Sequence, residues 1–148
     1  MGLDTMDLSI LSLLKQNAKN TASQISKKVG LSIPAVMERI RKLDEAKVIN
    51  RYTVQLDHKK LGYNILAFIF VNIEKTENIQ RFRDVVTQFS QVLECHHMAG
   101  EYDYLLKVVT TDTAELEDFL SNGLKSIAGV EKSNTLIALS TLKEELNR

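Results

Sequence analysis

One cysteine, one proline, six glycines and no tryptophan are spread over 148 residues. The lone thiol, Cys95, excludes an intramolecular disulfide, and with no secretory leader apparent the expected setting is a reducing, cytoplasmic one. So little Pro and Gly excludes collagen-like and low-complexity chains, and 44% apolar with 26% charged residues describes a globular protein. Long hydrophobic runs are missing as well. The longest, from Ile65 to Val71, is far too short to cross a bilayer, so no membrane partner is expected. A Gly-rich phosphate loop, a nucleophile elbow and an HExxH sequence are all lacking, which argues against an enzyme. The only cluster of reactive side chains is Cys95, His96 and His97. On a strand these alternate between faces, leaving too few convergent ligands for a closed zinc site and no third group to orient a Cys–His nucleophile. Neither a metal nor a cofactor is expected.

An excess charge of one sign is also absent, with 19 basic residues against 19 acidic ones. The cancellation conceals an asymmetry. Residues 1–60 carry 11 Lys and Arg against 6 Asp and Glu, net +5, whereas residues 61–148 carry 8 against 13, net −5. A cationic first part joined to an anionic remainder suggests that only the first part meets a polyanion.

Three helix starts are written into that first part as side chains able to satisfy orphan backbone donors. Asp4 is the first N-cap, with Asp7 three residues on and Leu3 and Leu8 spaced as a hydrophobic staple, and Met6, Ile10, Leu11 and Leu14 recur at helical period until Asn17. Thr21 with Gln24 forms a capping box, followed by Ile25 and Val29 on one face and Gly30 as a left-handed terminator. Ser32 caps a third helix, with Leu31 and Val36 as its staple, and Pro34 is tolerated in its first turn. Only Gly30 and Leu31 separate the second and third helices, the tight turn of a helix-turn-helix at about residues 21–46.

At 100° per residue, Val36, Ile40 and Leu43 share an inward arc, and Pro34, Glu38, Arg41, Lys42 and Glu45 lie opposite, on a face free to enter a DNA major groove. Ser32, Pro34, Ala35 and Glu38 are expected nearest base edges, with Arg39, Arg41 and Lys42 reaching phosphates or a guanine edge, and Thr21 joins them from the start of the second helix. The β-rich stretch from Lys47 to Val54 reads as a small wing with Arg51 at its tip, facing a flanking phosphate or plain solvent. A polar connector, Gln55 to Tyr63, then closes a first domain of residues 1–62.

From residue 63 the pattern becomes strand, helix, strand, strand, helix, strand. Strands are expected at about 64–73, 92–99, 102–110 and 130–142, and helices at 78–90 and 113–126. This is the ferredoxin-like βαββαβ arrangement, so the chain is α+β: a winged helix-turn-helix, then a ferredoxin-like domain over 63–148 with both helices on one face of its sheet. The other face should be polar, yet Leu66, Phe68 and Phe70 line it opposite Ile65, Ala67, Ile69 and Val71. A dry row of that kind calls for cover, either a partner sheet in a homodimer or the amino-terminal domain folded back. Met98, Ala99, Gly100, Glu101, Tyr102 and Asp103 join two strands. There Gly100 can take a positive φ and bare its amides while Glu101 and Asp103 offer carboxylates to an ammonium, which would suit an amino-acid-like ligand or simply make a hairpin turn.

The assembled residues resemble the Lrp/AsnC family of feast-or-famine transcription regulators over essentially the whole chain. LDTMDLSILSLLKQNAKNTASQISKKVGLSIPAVMERIRKLDEAKVI is similar to that family's winged helix-turn-helix, and GEYDYLLKV and IAGVEKSNTLIAL to its carboxy-terminal regulatory (RAM-type) module. The resemblance implies a sequence-preferring regulator of double-stranded DNA built from dimers that associate further, commonly into octamers, with small amino-acid effectors held near the contacts between dimers. On matching positions it implies Ser32 to Lys42 as the recognition element, and Gly100, Tyr102 and Asp103 with Ser133, Asn134 and Thr135 as the effector region. Lys47 departs from the pattern, since the family usually has Gly there, and Asn134 lies where effector-binding residues vary. Two other readings stand beside a regulator tuned by its effector: an architectural protein that wraps or bridges DNA without a ligand, and a metabolite sensor or enzyme built on the ferredoxin-like module.

Overall fold

A computed structural model describes residues 2–148. Two compact units emerge: one runs up to Gln55 and includes Glu145–Arg148, the other is Leu56–Glu144.

The first unit is three helices, α1 (Thr5–Gln16), α2 (Ala22–Val29) and α3 (Ile33–Glu45). Each start follows its cap. The Asp4 carboxylate accepts from the Asp7 amide at 2.8 Å and the Asp7 carboxylate accepts from the Asp4 amide at 3.1 Å. Thr21 and Gln24 make the same reciprocal pair at 3.2 and 2.8 Å, and Ser32 Oγ accepts from the Ala35 amide at 3.3 Å. Such caps each stabilise by roughly 1 kcal/mol. Gly30 ends α2 at φ 73°, as its position predicts. Ile10, Ile25 and Val36, one from each helix, meet in a fully buried core to which Leu14, Leu31 and Ile40 are added. The expected Leu3 and Leu8 staple leaves both side chains exposed.

Beyond α3, the stretch expected as a wing forms no ladder of its own. Among the described residues of this unit no strand forms, and the β-rich stretch runs as turn and irregular chain. The two arms flanking Asn50 and Arg51 are only about three residues each, and a two-stranded hairpin that short is not stable by itself. Tyr52 instead ties back to the helix, its hydroxyl donating to Asp44 at 3.3 Å. Lys47 takes φ 56°. Its amide donates to the Asp44 carbonyl at 3.0 Å and the Val48 amide to the Leu43 carbonyl at 3.0 Å, which is the Schellman pattern in which glycine ordinarily holds the left-handed position.

The second unit is a four-stranded antiparallel sheet in the order β2-β3-β1-β4, built from β1 (Ile65–Ile73), β2 (Val92–His97), β3 (Tyr104–Thr110) and β4 (Val130–Ile137). Helices α4 (Ile79–Val86) and α5 (Thr113–Asp118) cover one face, where Ala67, Ile69, Val71, Leu106 and Val108 pack against Phe82, Val86, Leu116, Phe119 and Leu124. This is the expected βαββαβ fold, with shorter elements. β4 stops near Ala138, whose amide donates to the Leu66 carbonyl at 2.8 Å, because β1 begins at Ile65 and later residues have nothing to pair with. α4 ends at Val86, where Thr87 Oγ1 donates back to the Arg83 carbonyl at 2.8 Å. The helix expected over 113–126 is α only to Asp118, then a π turn Phe119–Gly123 and a 3-10 turn Leu124–Ser126. The wider turn seats Phe119 edge-on to Phe89, with ring centroids 5.4 Å apart, and brings Gly123 against the same ring.

Candidate nucleic-acid interface and effector site

Helix α3 presents the expected face. Val36 and Leu43 are fully buried, while Pro34, Glu38, Arg41, Lys42 and Glu45 are exposed. Thr21 and Ser32 are exposed at the starts of their helices but spend their oxygens on caps, and Arg51 is exposed beyond α3. Met37 at 59% exposure and Ile33 at 43% lie on the same helix and escaped the sequence reading, which sought charge. Their signal was an apolar residue outside the inward arc, of the type that packs on thymine methyl groups.

The charged residues of α3 do two different jobs. Arg39 turns inward: its Nη1 donates to Asp4 at 2.8 Å and to Asp7, itself buried, at 2.7 Å. Asp4 and Asp7 hold that guanidinium above its ordinary pKa, and the Asp7 amide followed by Arg39 holds the Asp4 carboxyl below its own. Arg39, expected to reach a phosphate or a guanine edge, is here engaged as a brace joining α1 to α3. Arg41 stays outside within a clamp. Its Nε and Nη2 donate to the two oxygens of Glu38, each at 2.8 Å, and Nη1 pairs with Glu45. Lys42 Nζ lies 3.7 Å from Glu38. Hydrogen bonding from Arg41 pulls the Glu38 carboxyl down to about 2, and Glu38 then Glu45 push the Arg41 guanidinium up.

In the second unit, the 98–103 connection is closed by Asp103. Its carbonyl accepts from the Met98 amide at 2.8 Å, its amide donates to the Val71 carbonyl at 3.1 Å and to Asn72 Oδ1 at 2.9 Å, and its carboxylate accepts from the Ile73 amide at 2.8 Å. One Asp103 oxygen is thus committed to the fold. Gly100 lies in the bend but not at positive φ, contrary to expectation, and a Cβ there would meet nothing within 4 Å. Met98, Ala99, Gly100 and Glu101 are exposed. Tyr102 packs against Phe70, its ring tilted by 44° with centroids 5.3 Å apart, and Lys132 Nζ sits 5.3 Å over the Tyr102 ring and 3.6 Å from Glu101.

Register divides the other expected effector residues. Asn134 pairs with Phe70 and shares its face, whereas Ser133 and Thr135 pair with Val71 and Ile69 and share the helix-covered face. One surface therefore gathers Glu101, Tyr102, Lys132 and Asn134 beside Phe70. Ser133 and Thr135 stand on the other side.

That surface continues along the row of Leu66, Phe68 and Phe70, all half-buried, with Leu136 at 53% exposure beside Phe68. The chain's own residues 138–144 cover part of it, which neither expected form of cover included. A groove of about 370 Å³ runs between them, lined by Leu66, Phe68, Lys107, Ala138, Leu142 and Glu144 among others. Lys107 pairs there with Glu144 at 2.8 Å and Glu94 at 3.7 Å. Cys95 pairs with Leu106 on the helix side, away from His96, and burial pushes its thiol pKa up. Among the described residues no group of three or more His, Cys, Asp or Glu is placed to hold a metal, and no helix is long and apolar enough to cross a membrane.

A helix-turn-helix with an outward-facing second helix, joined in sequence to an α+β module bearing a polar-and-aromatic cluster, is the architecture of a DNA-binding regulator. Comparison with known proteins narrows the class. Residues 3–50 match the winged helix-turn-helix DNA-binding model and residues 66–147 the Lrp/AsnC ligand binding domain. The chain is 37% identical over 142 residues to the HTH-type transcriptional regulator FL11 of Pyrococcus horikoshii, covering 96% of this chain and 93% of that protein. It is 33% identical to the transcriptional regulator AzlB of Bacillus subtilis, with 98% and 94% covered. Among solved structures, a transcriptional regulator from Neisseria meningitidis in complex with L-Met is similar at a TM-score of 0.94, with 29% identity and 98% and 95% of the two chains covered. The chain belongs to the Lrp/AsnC family of DNA-binding transcriptional regulators. It carries that family's ligand-binding domain.

Proposed function

We propose that the protein is a cytoplasmic regulator whose assembly or DNA affinity is set by a small amino-acid effector, with residues 1–62 serving DNA binding and 63–148 serving effector binding and oligomerisation. Two copies join through the sheet face that carries Leu66, Phe68 and Phe70, and dimers associate further into an octamer. A dimer offers two α3 helices to successive major-groove faces roughly 34–36 Å apart, on palindromic half-sites. Pro34, Ala35 and Glu38 lie toward base edges beside Ser32 and Thr21, while Arg41 and Lys42 reach a guanine edge or phosphates and Arg51 a flanking phosphate.

One observation carries this reading. The Tyr102 ring of the 98–103 connection packs against Phe70 of the expected assembly face, tilted by 44° with centroids 5.3 Å apart. A ligand engaging Glu101, Tyr102 or Asn134 cannot move that ring without moving the contact surface, so the two assembly states differ in affinity for it. The L-Met complex of the Neisseria relative supports an amino acid as the ligand class.

The test is sedimentation of the full chain with each of the common amino acids added singly, repeated on a DNA-bound sample. At least one amino acid shifts the assembly or the DNA affinity about tenfold, near the middle of the usual coupling range. Indifference to all of them, with DNA binding intact, would instead leave the architectural reading.

A further inference from the structure

The exposed face of α3 is electrically neutral. Glu38 and Glu45 cancel Arg41 and Lys42, and three of the five N–H donors of Arg41 are already taken by the two carboxylates. A free arginine on a groove-facing helix is drawn to whichever phosphate is nearest, on any sequence. Here Glu38 grips the side of the guanidinium through both oxygens and Glu45 holds it from the next turn. The plane of the guanidinium is thereby fixed, two donors remain, and the carboxylates repel a phosphate that would take their place.

Phosphate attraction has other sources in the same unit. Lys27, Lys28, Lys47 and Arg51 are exposed, and among the described residues none of them forms an ion pair.

We propose that Glu38 and Glu45 are the specificity-determining residues of the helix: they position Arg41 as a base-edge reader and withhold it from the backbone, leaving the phosphate grip to Lys27, Lys28, Lys47 and Arg51. Glu38 then acts through Arg41 rather than by accepting from a cytosine. The inference rests on α3 being the recognition helix, as proposed above. It adds that removing an acid from this helix strengthens binding to the wrong DNA.

The experiment uses the full chain and two duplexes, one selected by the wild-type protein from a randomised pool and one a scramble of it, titrated from about 50 to 200 mM salt. Glu45→Gln and Glu38→Gln are expected to bind the scrambled duplex several-fold tighter, to steepen the salt dependence by about one released counterion, and to narrow the preference for the selected duplex several-fold. Arg41→Lys, which keeps the charge and loses the fork, narrows that preference about tenfold with little change on the scramble. Lys27→Gln with Lys28→Gln weakens both duplexes alike. If the two acidic variants keep the wild-type preference and salt slope while Arg41→Lys still narrows the preference, the clamp is overturned and the recognition helix stands. If Arg41→Lys and a bulky change at Ala35 both leave the preference untouched, the recognition-helix reading falls, and the clamp with it.

Discussion

The two units solve the problem of burial differently. The helical unit closes its core within one chain: its caps are satisfied, Ile10, Ile25 and Val36 are fully buried, and Arg39 neutralises the buried Asp7, while Leu8, Met37 and Val54 stay exposed outside that core. The sheet unit is finished on one face only. Its helix side is fully packed, while its other side keeps Leu66, Phe68 and Phe70 half-open and Leu136 and Leu142 exposed, with its own last segment laid partly across. Structural self-sufficiency suits the part whose surface must stay free to meet DNA. An incomplete apolar face is what the proposed meeting of copies would cover.

The sharpest way to break this contrast is a charge on the open face. Phe68→Asp or Leu66→Asp places an unpaired carboxylate in an apolar contact, at a cost of several kcal/mol, and should weaken self-association at least 100-fold while the helical unit melts as before. Sedimentation checks it, and an unchanged profile would refute the open face as a meeting surface. Next in size is Arg39→Ala. It strips the buried Asp7 of its cation and should destabilise the helical unit by about 1–3 kcal/mol, read by amide exchange in α1 and α3, with assembly unaffected. Equal protection in wild type and variant would mean that the brace holds nothing.

Smaller is Lys47→Gly. A left-handed residue with a Cβ is strained by about 1 kcal/mol, part of which glycine returns to the unfolded chain as entropy, so a gain of about 0.5 kcal/mol in thermal unfolding is expected. The smallest effect concerns Cys95. Burial raises its pKa, so alkylation near pH 8 should run several-fold slower than for a free thiol and accelerate as pH climbs toward the raised value, because thiolate is the reacting form. Since Cys95 lies on the closed side, Phe68→Asp should leave that rate alone.

Local grammar was readable from the residues alone. Asp4, Thr21, Ser32 and Gly30 act within three or four residues of themselves, and so does the alternation that sorts Ala67, Ile69 and Val71 from Leu66, Phe68 and Phe70. What was not readable depends on partners far along the chain. Arg39 looked like one more outward cation because Asp4 and Asp7 are more than thirty residues away. The β-rich stretch after Lys47 had the composition of a wing without a second strand. β4 stops short of its expected end at 142, since the start of β1 and not its own sequence decides where pairing stops. That Asn134, and not Ser133 and Thr135, takes the face of Phe70 likewise follows from register with β1. A motif read as one block of residues carried no such information.

Gly100 stands out for the lack of any demand upon it. Its backbone angles are open to every amino acid, and a methyl added there would project into solvent. Within a solitary subunit the position is therefore silent: Gly100→Ala should pass unnoticed by melting or exchange. Any penalty that a larger side chain brings in the proposed assembly must originate in whatever comes up against that bend from elsewhere, which makes this residue a clean reporter of arrivals.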